Sequence, residues 1–344
     1  MNIFLNDSNC RASLLPFSLT RHVSDIRIGI LTIREKWERL VKELPGVCIL
    51  QEPSADCISI EANLIPTKNN VDTIIQSALH NKIINPTDNI KSIVFPWHIF
   101  QLNEWAIQRD FELITCNQKS ESIDASNHCI NPAQIFVEEG ATVIYSSLNA
   151  SNGPIYIGKN AEIMEGSLLR GPLSIGENSV VKMGTKIYGG TTIGPNCIVG
   201  GEIKNAVMFE YSNKAHDGYL GDSVIGAWCN LGAGTTTSNV KNNAGEVTYQ
   251  LQLDSTSITA GNKAGLIMGD YSRSAINTSF NTGTFVGVCC NVFSNGFPKK
   301  YIDHFTWGDK KYIFNKAIED IDKWKKFKKQ TITDNEIQLL KELY

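Results

Sequence analysis

The sequence predicts an α/β segment over residues 1–130, a parallel β-helix over residues 131–306 and a helical tail over residues 307–344. Three observations predict it. Of the 27 glycines, 24 fall between residues 131 and 300, leaving only Gly29, Gly46 and Gly308 outside. Within that half an aliphatic residue recurs at every sixth position: Ile157, Ile163, Leu169, Ile175, Val181, Ile187, Ile193 and Val199. Beyond it the apolar spacing returns to that of a helix.

In the first segment, short apolar runs (Ile3 to Leu5, Ile26 to Ile33, Val47 to Leu50, Ile93 to Phe95) alternate with helix-like stretches at Val71 to His80 and Trp97 to Arg109. That alternation is the pattern of an α/β layer. In the second, neither a helix period of 3.6 nor a strand period of 2 yields a pure six-residue repeat, whereas a hexapeptide β-helix does. Each repeated aliphatic side chain points into a triangular prism. A glycine often follows it, as in Ile157-Gly158, Ile175-Gly176, Ile193-Gly194 and Val199-Gly200, where the chain turns a corner.

The rhythm breaks at Asn205 and resumes at Tyr219, Ile225 and Leu231, which reads as a first excursion. A second spans Lys241 to Ala264, after which Met268, Ser274, Phe280, Val286 and Val292 restore the period. Excursions from a repetitive scaffold are where function is usually mounted. The tail shows Ile313, Ala317, Ile321, Trp324 and Phe327 near helical spacing, then the capping box Thr333 to Glu336. Its cluster Lys323, Lys325, Lys326, Lys328 and Lys329 reads as a solvated helix face.

Composition excludes several classes. With 32 basic and 35 acidic residues the net charge is -3, so no global field draws in nucleic acid or an anionic membrane. The first residues lack a basic and apolar leader pattern, and no apolar run approaches the ~20 residues that span a bilayer. A cytoplasmic protein without membrane insertion is the expectation. The nine cysteines are scattered, never C-x-x-C, and read as reduced thiols; adjacent Cys289 and Cys290 point to opposite faces of a strand.

The chemistry concentrates around the first break. The chain reads Glu202-Ile-Lys204, then His216-Asp-Gly-Tyr219-Leu-Gly-Asp222, then Ile225-Gly, then Asn230-Leu-Gly-Ala233-Gly234-Thr235, with Asn239 four residues on. This resembles the acetyltransferase domain of the bifunctional enzymes that acetylate glucosamine 1-phosphate and uridylylate the product. Over its length the chain resembles a shortened family of sugar nucleotidyltransferase-like proteins of that type. The resemblance implies a left-handed coil, a homotrimer with acetyl-CoA between neighbouring prisms, and a reduced nucleotidyltransferase-like fold for the first segment.

Residue by residue, it implies His216 as the general base, with Asn239 beside it in catalysis. Lys204, Tyr219 and Asn230 match positions that hold the sugar phosphate or its amine. Ala233 and Gly234 match the acetyl-CoA wall. Asp270, in Ile267-Met-Gly-Asp270, stands where the family carries a serine beside the cofactor, and Val240 stands where it carries a tyrosine. The residue types suit the chemistry independently. An amine must be neutral to attack a thioester, and an imidazole of pKa roughly 6.5 accepts its proton at neutral pH.

The first segment has no glycine-rich phosphate loop. It keeps Leu14-Leu-Pro-Phe-Ser-Leu-Thr-Arg21, and Arg21 and Lys36 are its candidates for a triphosphate; no residue stands out as a metal ligand. Three functions follow. The first is an acetyl-CoA-dependent N-acetyltransferase acting on an amino sugar phosphate in cell-envelope precursor synthesis. The second is a nucleotidyltransferase using UTP or dTTP with Mg2+, its β-helix serving oligomerisation. The third is a non-catalytic sugar-nucleotide-binding or assembly protein.

Overall fold

The computed structural model describes residues 1–344. The first segment is a three-stranded parallel sheet in the order Cys48–Leu50, Asn2–Asn6, Cys57–Glu61, flanked by helices α1 (Ile33–Val41) and α2 (Val71–Leu79) and followed by α3 (His98–Gln101) and α4 (Asn103–Thr115). The run Ile26 to Ile33 is not a strand. It is closed by a single bridge, Arg27 to Thr32, and opens directly into α1. The signal lay in Thr32-Ile-Arg-Glu35, a capping box in which Thr32 Oγ1 accepts the Glu35 N–H and the Glu35 carboxylate accepts the Thr32 N–H at 2.6 Å.

From His128 the chain winds as a parallel β-solenoid of three stacked sheets. One sheet, here called the docked face, has nine strands from Ile135–Val137 to Tyr301–Ile302. The next, the helix-flanked face, has ten strands from Thr142–Val143 to Lys310–Lys311. The third, the open face, has six strands from His128–Ile130 to Tyr219–Gly221, continued by the pair Thr236–Thr237 and Ser279–Phe280. All eight hexad residues from Ile157 to Val199 lie inside the prism, none more than 2% exposed. That interior is one contiguous apolar column, as the six-residue period requires.

The first break is not an excursion. Between Val199 and Leu231 the inward residues are Ile203, Met208, Lys214, Leu220 and Ile225, each in register with the coil below. Sides of four and five residues replace sides of six, so the phase slips without any segment leaving the coil. Leu220 is the buried residue, and Tyr219 points outward. The second break is a true excursion: an antiparallel hairpin, Val247–Tyr249 with Ile258–Gly261. It docks onto the α/β segment, where Tyr249 stacks on Trp97 at 5.3 Å and Ala260 accepts from Gln101 at 2.8 Å.

The docked face is apolar on both sides. Its inward residues fill the prism, while outward Val207, Val224, Ile267 and Phe285 join one cluster of 37 residues with Ile3, Phe17, Trp37 and Phe100. Phe17 meets Phe209 at 5.0 Å. Asn103, fully buried, accepts the Gly29 N–H at 2.7 Å and donates to the Gly190 carbonyl at 2.6 Å, tying α4 to the prism. The α/β segment and the solenoid therefore share one core.

Helices α5 (Phe314–Phe327) and α6 (Asp334–Leu343) pack over the corner between the docked and helix-flanked faces. Ala317 and Ile321 are buried as expected, but Ile313 is 70% and Phe327 80% exposed. Lysine takes the apolar role instead. Lys325 is buried, donates to Glu336 at 2.5 Å and lies 4.9 Å from the Trp228 ring. Lys328 donates to the Asn196 carbonyl at 2.9 Å and to Asn213 at 3.3 Å, while Lys323 and Lys326 remain on the solvated face. Both cysteine neighbours are buried, Cys290 inside the prism and Cys289 against the helices.

Lys36 sits on α1 at 0% exposure, ion-paired with Asp110 and donating to the Ile28 carbonyl at 2.7 Å. Burial pulls the lysine down and the aspartate up from their ordinary ranges, each opposed by its partner. Removing one partner strands a buried charge. Lys36→Ala is expected to lower the unfolding free energy by about 3–5 kcal/mol in urea titration.

Candidate functional site

The open face brings three of the sequence candidates together. Lys204 ends one strand and Tyr219 begins the next, with Glu202 paired to Tyr219 and Lys204 to Gly221. Asn239, just past the strand Thr236–Thr237, donates its side-chain N–H to Tyr219 Oη at 3.3 Å and to Asp222. Asp222 in turn accepts from Asn205 at 2.6 Å. An amide, a phenol and a carboxylate are thus locked to one another. Lys204 Nζ lies 5.6 Å from the centroid of Tyr188, whose hydroxyl donates to Glu202 at 2.6 Å.

The electrostatics keep both phenols protonated. Burial, and then the Asp222 carboxylate, raise Tyr219 well above the ordinary range. The hydrogen bond to Glu202 pushes Tyr188 up to about 12. Tyr219 can therefore donate a proton in a hydrogen bond at neutral pH but cannot serve as a base. Gly221 is required here, since a Cβ on it would meet Tyr219 Oη at 2.3 Å. The phenol lies across the gap that the glycine leaves.

His216 stands exposed at the corner leading into this face. Ala233 and Gly234 form the same corner one coil on, and the Gly234 N–H donates to the Asp217 carbonyl at 3.1 Å. Asn230 lies on the other side of the corner, facing outward on the helix-flanked face, where Asn213 donates to its Oδ1 at 3.5 Å. The seven residues from Lys204 to Asn239 thus lie on two adjoining faces, with His216, Ala233 and Gly234 at the corner between them and Lys204 and Asn239 at the far edge of the open face. Sequence reasoning missed four neighbours: Tyr188, Glu202, Asn205 and Asp222. Glu202 and Asp222 stood inside the quoted motifs without a role, while Asn205 lies one coil and Tyr188 two coils below Asp222, distances that only register supplies.

Three candidates belong elsewhere. Asp270 is at a different corner of the prism, where it pairs with Arg21 and accepts the Thr20 hydroxyl at 2.7 Å and the Ala227 N–H at 2.8 Å. Arg21 is correspondingly spent on Asp270 and on Glu210 at 3.4 Å. Burial opposes its charge, yet the two carboxylates outweigh burial and hold it above the ordinary arginine range. Lys36 is the fully buried partner of Asp110 and offers no surface to a phosphate. The loop after the first strand closes on itself, with Asp7 accepting from Arg11 at 2.6 Å and from the Val23 N–H at 3.2 Å. No cluster of three histidine, cysteine or carboxylate side chains has the spacing of a metal site, and no helix is long and apolar enough to cross a membrane.

With this geometry in view, residues 3–82 match the sugar nucleotidyl transferase family. A stretch of 201 residues is 29% identical to the bifunctional sugar-1-phosphate nucleotidylyltransferase/acetyltransferase of Sulfurisphaera tokodaii, covering 58% of this chain and 43% of that protein. The chain is similar to bifunctional sugar nucleotidyltransferase/acetyltransferases. A second relative is the bifunctional protein GlmU of Methanococcus maripaludis, 36% identical over 86 residues, which are 25% of this chain and 20% of that one. The chain therefore aligns with between a fifth and about two fifths of the length of these bifunctional relatives. Among solved structures, an Arabidopsis UDP-N-acetylglucosamine acyltransferase overlaps 54% of this chain and 72% of its own at 15% identity, with a TM-score of 0.28. That overlap is too loose to add to what the solenoid itself displays.

The corner carries one further residue with unusual chemistry. Lys214, 2% exposed, points into the prism in the slot that Val199 fills one coil below. Burial, partly offset by Asp217, pulls its ammonium down to about 8. Its unfolded value is 10.5, so between pH 8 and 10.5 the unfolded chain binds the extra proton and stability rises with pH. The unfolding free energy of the wild type, measured against Lys214→Met, is expected to climb by roughly 3 kcal/mol across that window in urea titrations.

Proposed function

We propose that this chain is an acyltransferase of the hexapeptide type, moving an acetyl group from acetyl-CoA to the amine of a sugar phosphate. The observation that supports it is the corner itself. A solvent-open imidazole at His216 adjoins a face that offers a cation at Lys204, a protonated phenol at Tyr219 and an amide at Asn239. Lys204 supplies the charge that a sugar phosphate requires. Tyr219 and Asn239, fixed by Asp222, orient the acceptor.

In this reading the amine lone pair attacks the thioester carbonyl carbon. The C–N bond forms, the C–S bond breaks, and His216 takes the proton that the amine sheds, while the thiolate leaves with the electron pair of the C–S bond. The Gly234 N–H is held by the Asp217 carbonyl, so of these two small residues it is Ala233 whose backbone N–H is left to approach the transient oxyanion. The site is open on one side in the single chain, and a homotrimer in the cytoplasm, with a neighbouring prism against this corner, completes the proposal. Light scattering that returned a monomer would argue against that closure.

A second reading, nucleotidyl transfer from UTP or dTTP with Mg2+, draws on the family match over residues 3–82. Against it stand the buried Lys36, the carboxylate-bound Arg21 and a loop after the first strand without glycine. The two readings separate in one experiment. Free CoA thiol release from acetyl-CoA and glucosamine 1-phosphate is expected from the wild type, and His216→Ala should reduce it by roughly 10²- to 10⁴-fold. Pyrophosphate release from UTP or dTTP with a sugar 1-phosphate, in the absence of thiol release, would transfer the function to the first segment.

A further inference from the structure

Along the corner between the helix-flanked and open faces, the backbone carbonyls of the regular coils are satisfied by a column of hydroxyls. From the second open-face strand onward the residue just before the strand supplies it, while in the first coil Asn127 fills the place with an amide that donates to the Val143 carbonyl at 2.6 Å. Ser146 donates to the Ile144 and Met164 carbonyls at 3.1 Å, and Ser167 to Met164 at 2.8 Å and Lys182 at 3.3 Å. Thr185 donates to Lys182 at 2.5 Å, and above the site Thr235 and Thr278 donate to Ala275 at 3.2 and 2.8 Å. The column fails in two coils only. There the equivalent residues are Gly201, in the coil below His216, and Gly218, in the turn that carries His216 itself.

Packing explains the two glycines. A Cβ on Gly201 would meet the Gly218 carbonyl at 2.8 Å and the His216 carbonyl at 2.9 Å, and one on Gly218 would meet the Thr235 carbonyl at 2.0 Å. Both hold positive φ, +75° and +120°, as well. The turn bearing His216 lies so close against its neighbours that no serine or threonine fits beneath it. A different donor arrives from inside the prism. Lys214 Nζ donates to the Gly200 carbonyl at 2.9 Å and to the His216 carbonyl at 2.9 Å. A lysine in an inward slot costs desolvation that an aliphatic residue would avoid, and here that cost is offset by the two carbonyls its head group meets.

We propose that Lys214 is the positioning residue of the candidate base: its ammonium clamps the carbonyl of His216 to that of Gly200 in the coil below and so fixes the peptide from which the imidazole projects. This rests on the acyltransferase reading for its consequence but not for its geometry. Holding a reacting group to within an ångström is worth up to ~10²-fold in rate. The clamp acts on the backbone, so it governs turnover rather than binding of the acceptor.

The test uses the full chain with Lys214→Met, which keeps the volume and removes the donors, and Lys214→Gln, which keeps two N–H donors on a shorter arm. Turnover is read by thiol release, folding by thermal melting, and the corner by hydrogen–deuterium exchange of peptides covering residues 214–220. The expected result is a roughly 10- to 100-fold fall in kcat for Lys214→Met with KM within about threefold. Exchange should rise only over that segment, and Lys214→Gln should fall between the two. A kcat within about threefold of wild type with unchanged exchange overturns the proposal. So does an activity loss that follows a general loss of folded protein in both variants, with exchange raised along the whole solenoid. Should the wild type release no thiol, the acyltransferase reading fails by itself, and exchange confined to residues 214–220 in Lys214→Met still decides whether the clamp exists.

Discussion

The docked face of the solenoid is buried from both sides, and everything else in the molecule is arranged around that fact. A β-helix can satisfy its interior with one apolar residue per side, leaving the outer surface polar. Here the outer residues Val207, Val224, Ile267 and Phe285 are apolar as well, and they are covered by the sheet and helices of the first segment. The hairpin at Val247–Gly261 extends the same cover, with Tyr249 against Trp97. One face is thereby committed to structure, a second is partly closed by the C-terminal helices, and the third is left uncovered.

Charge is buried at the seams of this arrangement as well as at the candidate site, where Lys214 and Asp222 are covered. Arg21 with Asp270 and Glu210 joins the first segment to the solenoid, and Lys325 with Glu336 joins the two C-terminal helices beside Trp228. Lys36 with Asp110 braces α1 against α4. Buried pairs of this kind add little net stability, but a slipped arrangement would leave an uncompensated charge, so they select one docking geometry. The same property removes Arg21 and Lys36 from the pool of groups that could meet a substrate.

At the site the solenoid departs from its own rules. Short sides bring the His216 turn close to its neighbours, glycine replaces the hydroxyl column, and an inward lysine stands where aliphatic residues stand elsewhere. The open face beside it carries a linked set of four polar side chains, Asn205, Asp222, Asn239 and Tyr219. Local irregularity in a repetitive scaffold is thus accompanied by a change of chemistry at the same place.

The sequence by itself determined the solenoid, because each coil must put one aliphatic residue inside at a fixed interval and that interval is visible without any contact being known. It also carried the corner motif from His216 to Asn239, since those residues lie close along the chain. It misread the break at Asn205, because two shortened sides and an inserted loop produce the same loss of phase in a one-dimensional pattern. Tertiary structure alone decided that Leu220, not Tyr219, faces inward; that Asp270 belongs to Arg21 and not to the His216 corner; and that Phe327 is exposed while Lys325 is buried. Register between coils and docking between segments are relations among residues tens to hundreds of positions apart, and no local period records which partner a buried charge will meet.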